Sequence, residues 1–448
     1  MNFLFLPRTT RTVRTFCVSV FSMFVYVPKV RVRVRTEGTC SWFKTNYLSS
    51  LIFIAILVFC SPKILAEEFI YKQQKGDKYR ILSTVNEEVY LDYMLSHRAE
   101  ILNRISGEVI DESGGKGRHK AVFQTSERAG TVYSGAAGKS YQWAREYESE
   151  FERDALGRLT ISKEYYMPVV RDVPVFPGRN IKPGEKWEYE GHEVHDFRDS
   201  FGIKDPYRIP FTANYTYLGE REWKGKNYPA FSVRYSIDSK PQPVSGRIWP
   251  KRIEADSDQV VFWDLDQGQA VAYYEKFSYL FEFSNNRTIE YRGKAEAELI
   301  ESLKMDREQV AREIADDIDR LSIPDVTVRV VDEGVTISLD DILFRADTAI
   351  MLPGEKEKLN KLVEILKRYP DRDILIGGHT ALAGTAAGRQ KLSVERAAAV
   401  ADYLISQQAR TPDRVVVRGY GADRPVADNA TEEGKRKNRR VEITILEN

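Results

Sequence analysis

The sequence predicts a multidomain α+β chain: a β-rich N-terminal region of antiparallel sheets, a linker helix, and a C-terminal α/β sandwich. Three observations predict it. Between Glu67 and Leu303, apolar and polar residues alternate over several stretches, the period of a half-buried strand. From Asp306 to Leu321 the period lengthens to that of a helix, and Pro324 ends it. Beyond Val326, short apolar runs and helical stretches take turns, the pattern of helices packed on a mixed sheet. At 448 residues the chain has room for about two to four domains.

The net charge is +1, so no global field favours nucleic acid or a charged membrane surface. Charged residues at 30% and aromatics at 11% fit a globular chain with a solvated surface. The 24 tyrosines suit strands with half-wet faces. The three cysteines are Cys17, Cys40 and Cys60. Everything after Cys60 is cysteine-free, which excludes disulfides and thiol chemistry from the body of the protein.

Residues 1–66 read as an export region. Lys44 precedes the apolar run from Leu51 to Cys60, too short to span a bilayer as a helix and suited to a signal-peptide core. Three readings stand. Cleavage follows Ala66; or Leu57 to Cys60 is a lipobox with Cys60 lipidated, although Phe59 replaces the small residue usual there; or the run stays as an uncleaved membrane anchor. Residues 1–43 carry Arg8, Arg11, Arg14 and the alternating Val30 to Arg35. A basic β-like run ahead of a signal peptide has no clear use and suggests a start codon assigned too far upstream.

Two β-rich subdomains are expected next, 67–175 and 176–303. The first holds one helix, around Tyr90 to Ile105. The boundary falls among Pro168, Pro174, Pro177-Gly178 and Pro183-Gly184. In the second, Phe231 to Ile237 alternates cleanly. Val260 to Trp263, a loop with Gly268, and Ala270 to Tyr274 predict a hairpin. Phe277 to Phe283 and Thr288 to Leu299 alternate again. The strands are too irregular for a membrane barrel, and the aromatics form no paired girdles. In 304–325, Asp306 and Gln309 make a capping-box-like start, and Val310, Ile314, Ile318 and Leu321 share one helix face. This linker helix is expected to dock the β-rich region on the last domain.

Residues 326–448 predict strand (Val335–Leu339), helix (Gly354–Tyr369), strand (Asp373–Gly377), helix (Ser393–Gln407), strand (Arg414–Tyr420), loop and strand (Val441–Leu446). Ser393 is a good N-cap type, and Ala397, Val400, Ala401 and Leu404 recur at helical spacing behind it. Arg396 then falls in the first turn, facing His379 and Thr380. A strand end, a flexible turn and a helix start gather backbone donors and a guanidinium where an anion can bind.

This stretch resembles the OmpA-like (OmpA C-terminal, peptidoglycan-associated) family from about Val326 to Asn448. The resemblance rests on Val335 to Leu339 with Leu343-Phe344, Gly378-His379-Thr380, and Leu392-Ser393-Val394-Glu395-Arg396-Ala397. It continues through Gly419-Tyr420-Gly421, Pro425, Asn429, Gly434 and Asn438-Arg439-Arg440-Val441-Glu442. It implies a non-enzymatic, cofactor-free envelope protein that is exported to the periplasm or the periplasmic face of the outer membrane. It also implies a ligand, the peptidoglycan stem peptide, met by His379, Thr380, Arg396, Asn438 and Arg439.

The departures matter more. The family has Asp directly after the His-Thr pair, where this chain has Ala381; it usually has Tyr-Asn where Gly388-Arg389 stand. In the family that Asp and the Arg matched by Arg396 clamp the two charged ends of a diamino acid. Loss of one charged partner costs about 2–5 kcal/mol, or roughly 30-fold to several-thousand-fold in affinity. The family grip is thus weakened or altered here, unless Asp347 or Asp423 replaces the missing carboxylate. The alternative is an envelope interaction scaffold whose domain has lost peptidoglycan binding.

Other candidates read more plainly. His192 and His195 lack the glutamate pattern of a zinc protease and read as surface histidines, not metal ligands. No Ser/His/Asp or Cys/His set and no phosphate-binding glycine loop is apparent. An enzyme in the β-rich region would have to use Glu193 or Asp196, and no paired carboxylates support it. Arg389 and Arg396 lie on one side of the turn-and-helix unit. Either they form a reshaped anion site, or Arg396 is structural and Arg389 solvated. Arg436 to Arg440 is a basic cluster that as a bare charge run would be a solvated face. The β-rich region is left to face another envelope protein.

Overall fold

The computed structural model describes residues 66–131, 140–198, 204–243, 248–300, 305–340, 344 and 348–447. Cys60, the apolar run before it and Asp347 lie outside the described residues.

The β-rich region is built from strands β1 (Lys78–Leu91), β2 (Met94–Ser113), β3 (Lys116–Thr131), β4 (Tyr141–Asp154), β5 (Leu159–Ile161), β6 (Val170–Arg171) and β7 (Lys186–His195). It continues through β8 (Tyr207–Trp223), β9 (Lys226–Ser239), β10 (Pro250–Asp264), β11 (Gln269–Phe283) and β12 (Thr288–Ile300). Neighbours in sequence pair antiparallel, except that β5 and β6 are not paired and β1 also pairs with β12. One sheet therefore runs from β5 through β1 and β12 to β6. It curls, so that Val85 and Ile101 share a core with Phe211 and Tyr215. Phe69, Phe176 and Trp263 interlock at its centre, with ring centroids 5.4 Å (Phe69–Phe176) and 4.9 Å (Phe176–Trp263) apart.

Strands from either side of 175/176 contribute to that core. One expectation is corrected. The helix expected at Tyr90–Ile105 is instead a hairpin: Asp92 and Tyr93, both with positive φ (49° and 66°), turn β1 into β2. The cause is that β2 is covered on both faces. Ile101 faces the curled core while Leu102 and Arg104, pointing the other way, are equally buried. A strand covered on both sides loses its period of two, and its apolar residues can fall at helical spacings.

Helix α1 (Arg307–Arg320) follows, with Asp306 as N-cap accepting from the Gln309 amide. The last domain comprises β13 (Val326–Val331), β14 (Gly334–Asp340), α2 (Pro353–Leu366), β15 (Ile374–Gly378), α3 (Ala386–Ser406), β16 (Val415–Gly419), α4 (Glu432–Asn438) and β17 (Arg440–Leu446). Its sheet order is β13-β14-β17-β15-β16, antiparallel except for the β15/β16 pair. Ile314 and Ile318 of α1 are buried in the same core as Ile337, Leu362, Ile376 and Ala401. The expected linker helix therefore packs into the core of the C-terminal domain. No helix among the described residues is long and apolar enough to cross a membrane.

The docking itself is done elsewhere. Tyr141 and Gln142 of β4 pair parallel with Val416 and Val417 of β16, extending the C-terminal sheet into the β-rich region. Beside this seam the buried carboxylate of Asp373 accepts from Arg80 at 2.6 Å and Arg104 at 2.9 Å, with Arg414 at 3.5 Å. The guanidinium of Arg418 covers the ring of Trp143 at 4.4 Å.

Candidate ligand-binding site

The turn after β15 is sewn to two neighbours by its backbone. The His379 amide donates to the Arg440 carbonyl (3.0 Å) and the Thr380 amide to the Gly421 carbonyl (2.7 Å). The Leu382 amide donates to Oδ1 of Asn429 (2.9 Å). Glycine lets α3 press onto the strand ends: a Cβ on Gly378 would sit 2.0 Å from the Ser393 carbonyl oxygen.

The helix begins earlier than the sequence suggested. Thr385 is the N-cap, its hydroxyl accepting from the Gly388 amide at 3.1 Å. The good helix formers Ala386, Ala387, Gln390 and Lys391 carry the helix through the stretch before Ser393. Ser393 is fully buried inside it. Its hydroxyl donates to the Gln390 carbonyl (2.8 Å) and accepts from the Gly421 amide (3.0 Å), locking the turn after β16 onto the helix.

Arg396 is thus well inside α3, not in its first turn. Its Nε donates to the Thr348 carbonyl (3.2 Å), and its guanidinium lies 5.0 Å from the Phe344 ring centroid. Arg389 does not converge with it: Nη1 of Arg389 donates back to the Gly384 carbonyl (2.6 Å), bracing the turn ahead of the helix. Gly388, in the first helical turn, is exposed.

His379 is buried and stacks on Tyr420, with centroids 4.8 Å apart. Burial, aided by Arg440 and Arg424, pushes its imidazole below the ordinary range against the pull of Glu442. Burial alone would raise Glu442, but His379 and Arg440 outweigh it and hold the carboxyl at about 2. Thr380 is buried too, and its hydroxyl finds no partner among the described residues. Ala381 is 6% exposed and brings no polar group. Asn438 is fully buried: its Oδ1 accepts from the Val426 (2.8 Å) and Ala427 (3.0 Å) amides and its Nδ2 donates to the Ala427 carbonyl (2.8 Å). That side chain shapes the 426–427 loop. The Arg439 side chain is half-buried and, after Lys435, helps to lower Glu432. Asp423 is exposed.

The histidines of β7 are not surface residues. His195 is 4% exposed with Nε2 2.8 Å from Glu193, and His192 is half-buried between Asp172 and Arg208. Residues on both faces of this strand end are covered, so alternation gave no warning.

The OmpA family model matches residues 343–439. The C-terminal domain is an OmpA-family domain. Over 115 residues the chain is 41% identical to outer membrane porin F of Pseudomonas aeruginosa, covering 26% of this chain and 33% of that protein. Over 104 residues it is 40% identical to the peptidoglycan-binding protein ArfA of Mycobacterium tuberculosis, covering 23% and 32%. The chain spans about a third of the length of these curated relatives. Among solved structures, the cell wall anchor of the T6SS from Pseudomonas aeruginosa is 31% identical, with 32% of this chain and 99% of that chain covered and a TM-score of 0.27. The OmpA-family match takes in the whole of the turn, α3 and α4.

Proposed function

We propose that this chain is a non-enzymatic envelope protein whose OmpA-like domain contacts the peptidoglycan stem peptide through an altered site. The observation that carries this reading is the turn itself: the Thr380 hydroxyl has no partner among the described residues, Ala381 replaces a carboxylate, and Arg396 of the following helix is held by Phe344 and Thr348. The similarity to a peptidoglycan-binding protein supports the ligand class, and the similarity to an outer membrane protein supports an envelope location. With Ala381 where the family has a carboxylate, a ligand ammonium is left unmatched, while a guanidinium still suits a ligand carboxylate. His379 and Asn438 shape the turn and the loop beside it, and Arg439 supplies a second cation at the end of α4. Export to the periplasm or the inner face of the outer membrane, with membrane association through the N-terminus, completes the proposal.

One observation favours a second reading. The β16 edge and Asp373 already hold the β-rich region, so the domain serves as a docking platform for its own chain and, on this reading, for other envelope proteins. Co-sedimentation of residues 67–448 with purified sacculi separates the two. Sedimentation that Arg396→Ala abolishes and Ala381→Asp tightens by roughly 30-fold or more supports the wall-binding reading. No sedimentation until Ala381→Asp is introduced would overturn it in favour of the scaffold.

A further inference from the structure

The curled sheet of the β-rich region borders a cavity of about 360 Å³, lined by residues of that region alone. Its floor is set by strand register. Ile81 opposes Ile105, Ile105 opposes Phe123, and His119 opposes Phe151, so alternate residues of β1 to β4 gather an apolar patch, with Ser83 and Asn103 opposed beside it. The segment around Val169 and Val173 closes over it.

One cation stands out on this surface. Arg153 lies against the rings of Tyr71 (4.7 Å) and Phe151 (5.6 Å), and no carboxylate pairs with it among the described residues. The other charged groups of the lining are engaged. Lys72 donates to the Leu265 and Asp266 carbonyls, Lys78 pairs with Glu108, Glu298 pairs with Lys224, and Asp77 accepts from the Gln74 amide. The buried ring of His119 stacks on Phe151 with centroids 5.0 Å apart, and its Nδ1 has no partner among the described residues. Burial, and then the nearby Arg153, holds this imidazole down to about 3, so it adds no second positive charge at neutral pH. The cavity therefore offers an apolar patch of Ile81, Ile105 and Phe123 within a mixed lining, and one guanidinium that no carboxylate meets among the described residues.

We propose that this cavity binds an acyl chain ending in a carboxylate, with the chain against Ile81, Ile105 and Phe123 and the carboxylate on Arg153. Burial of the chain supplies the driving force, because apolar surface leaves water. The guanidinium supplies selectivity, because a planar bidentate donor fits a carboxylate.

The test uses residues 67–448 and the fluorescent fatty acid dansylaminoundecanoic acid, displaced by decanoic acid or by its methyl ester. Saturable fluorescence enhancement is expected. Decanoic acid should displace the probe at least about tenfold more effectively than the ester, which keeps the chain and lacks the charge. Arg153→Gln should erase that preference while leaving far-ultraviolet circular dichroism unchanged. Ile105→Trp, which fills the cavity, should abolish the enhancement. Absence of saturable binding, or equal displacement by acid and ester, would overturn the proposal, and the acid/ester contrast stands even if a variant does not fold.

Discussion

In the β-rich region Glu193 lies fully buried and is met by the hydroxyls of Tyr235 (2.8 Å) and Tyr279 and the imidazole of His195 (2.8 Å). In the C-terminal domain Asp373, equally buried, is met by the guanidiniums of Arg80 and Arg104. The same division holds for other acids. Burial, with Glu193 and Asp258 nearby, pushes Glu275 well above the usual carboxylate range, and among the described residues only Ser257 donates to it. Burial and then Glu127 raise Glu87 to about 8. Burial would raise Asp373 and Glu442 too, but Arg104 and Arg80 hold the first below its usual value, and His379 and Arg440 hold the second at about 2. Glu87 and Glu275, acted on by burial and by neutral or acidic groups, are pushed up, whereas Asp373 and Glu442, buried among cations, are held down. Through these acids the β-rich region should lose stability on the alkaline side and the C-terminal domain on the acid side.

The largest effect is expected at the seam. Asp373→Ala leaves Arg80 and Arg104 buried without their carboxylate. Breaking a buried pair from one side costs about 3–5 kcal/mol. Thermal unfolding of residues 67–448 should show that loss, and limited proteolysis should show the OmpA-like domain released from the β-rich sheet. Asp373→Asn should cost a similar amount, since an amide brings no charge. An Asn variant as stable as the native chain would show that hydrogen bonding alone holds the seam.

The next effect is alkaline. Glu87 has a folded value of about 8 against 4.5 when unfolded, so the folded state binds more protons across that interval and stability falls as pH rises. Between pH 6.5 and 8 the loss is on the order of 2 kcal/mol. His119 acts only below this window. Its folded value is about 3 against 6.5, so its contribution is lost as pH falls from 6.5. Glu442 acts lower still, its contribution being complete above 4.5 and lost as pH falls toward 2. Hydrogen exchange should thus show β1 and β12 loosening from pH 6.5 to 8.5 while β15 and β17 hold. Glu87→Gln should flatten the alkaline slope. Equal loosening of all four strands would erase the contrast.

The same physics decides what could be read from the sequence. Strands β9 to β12 were legible because one face of each meets the core and the other meets solvent, which writes a period of two into the chain. β2 was not, because the OmpA-like domain covers its second face. α1 was legible from Asp306, whose capping bond is local. The start of α3 was misplaced because Ser393 is a cap-type residue put to another use: its hydroxyl serves Gly421, 28 residues away. The OmpA-like turn was legible as a motif, with His379, Thr380, Ala381 and Arg396 in their expected elements. The commitments of Asn438 and Arg389 to backbone carbonyls and amides carry no sequence signature. Contacts made across the fold leave none at all. Arg80 and Asp373 are 293 residues apart, and the cavity draws its walls from strands β1 to β4 and β11.

The smallest effect sharpens the contrast most directly. Tyr235→Phe removes one neutral donor from Glu193 and keeps the ring, which stacks on Phe211 with centroids 3.9 Å apart. The packing is therefore preserved. The carboxylate retains Tyr279 and His195, so the change should cost about 1 kcal/mol, the net worth of one hydrogen bond. Chemical denaturation should resolve that shift at unchanged slope. A loss as large as that of Asp373→Ala would mean that the three donors act as one cooperative unit, and that the β-rich region holds its acid no less tightly than arginine holds Asp373. A loss near 1 kcal/mol would mean that neutral donors share the load, so that removing any one of them is tolerated where removing a charge is not.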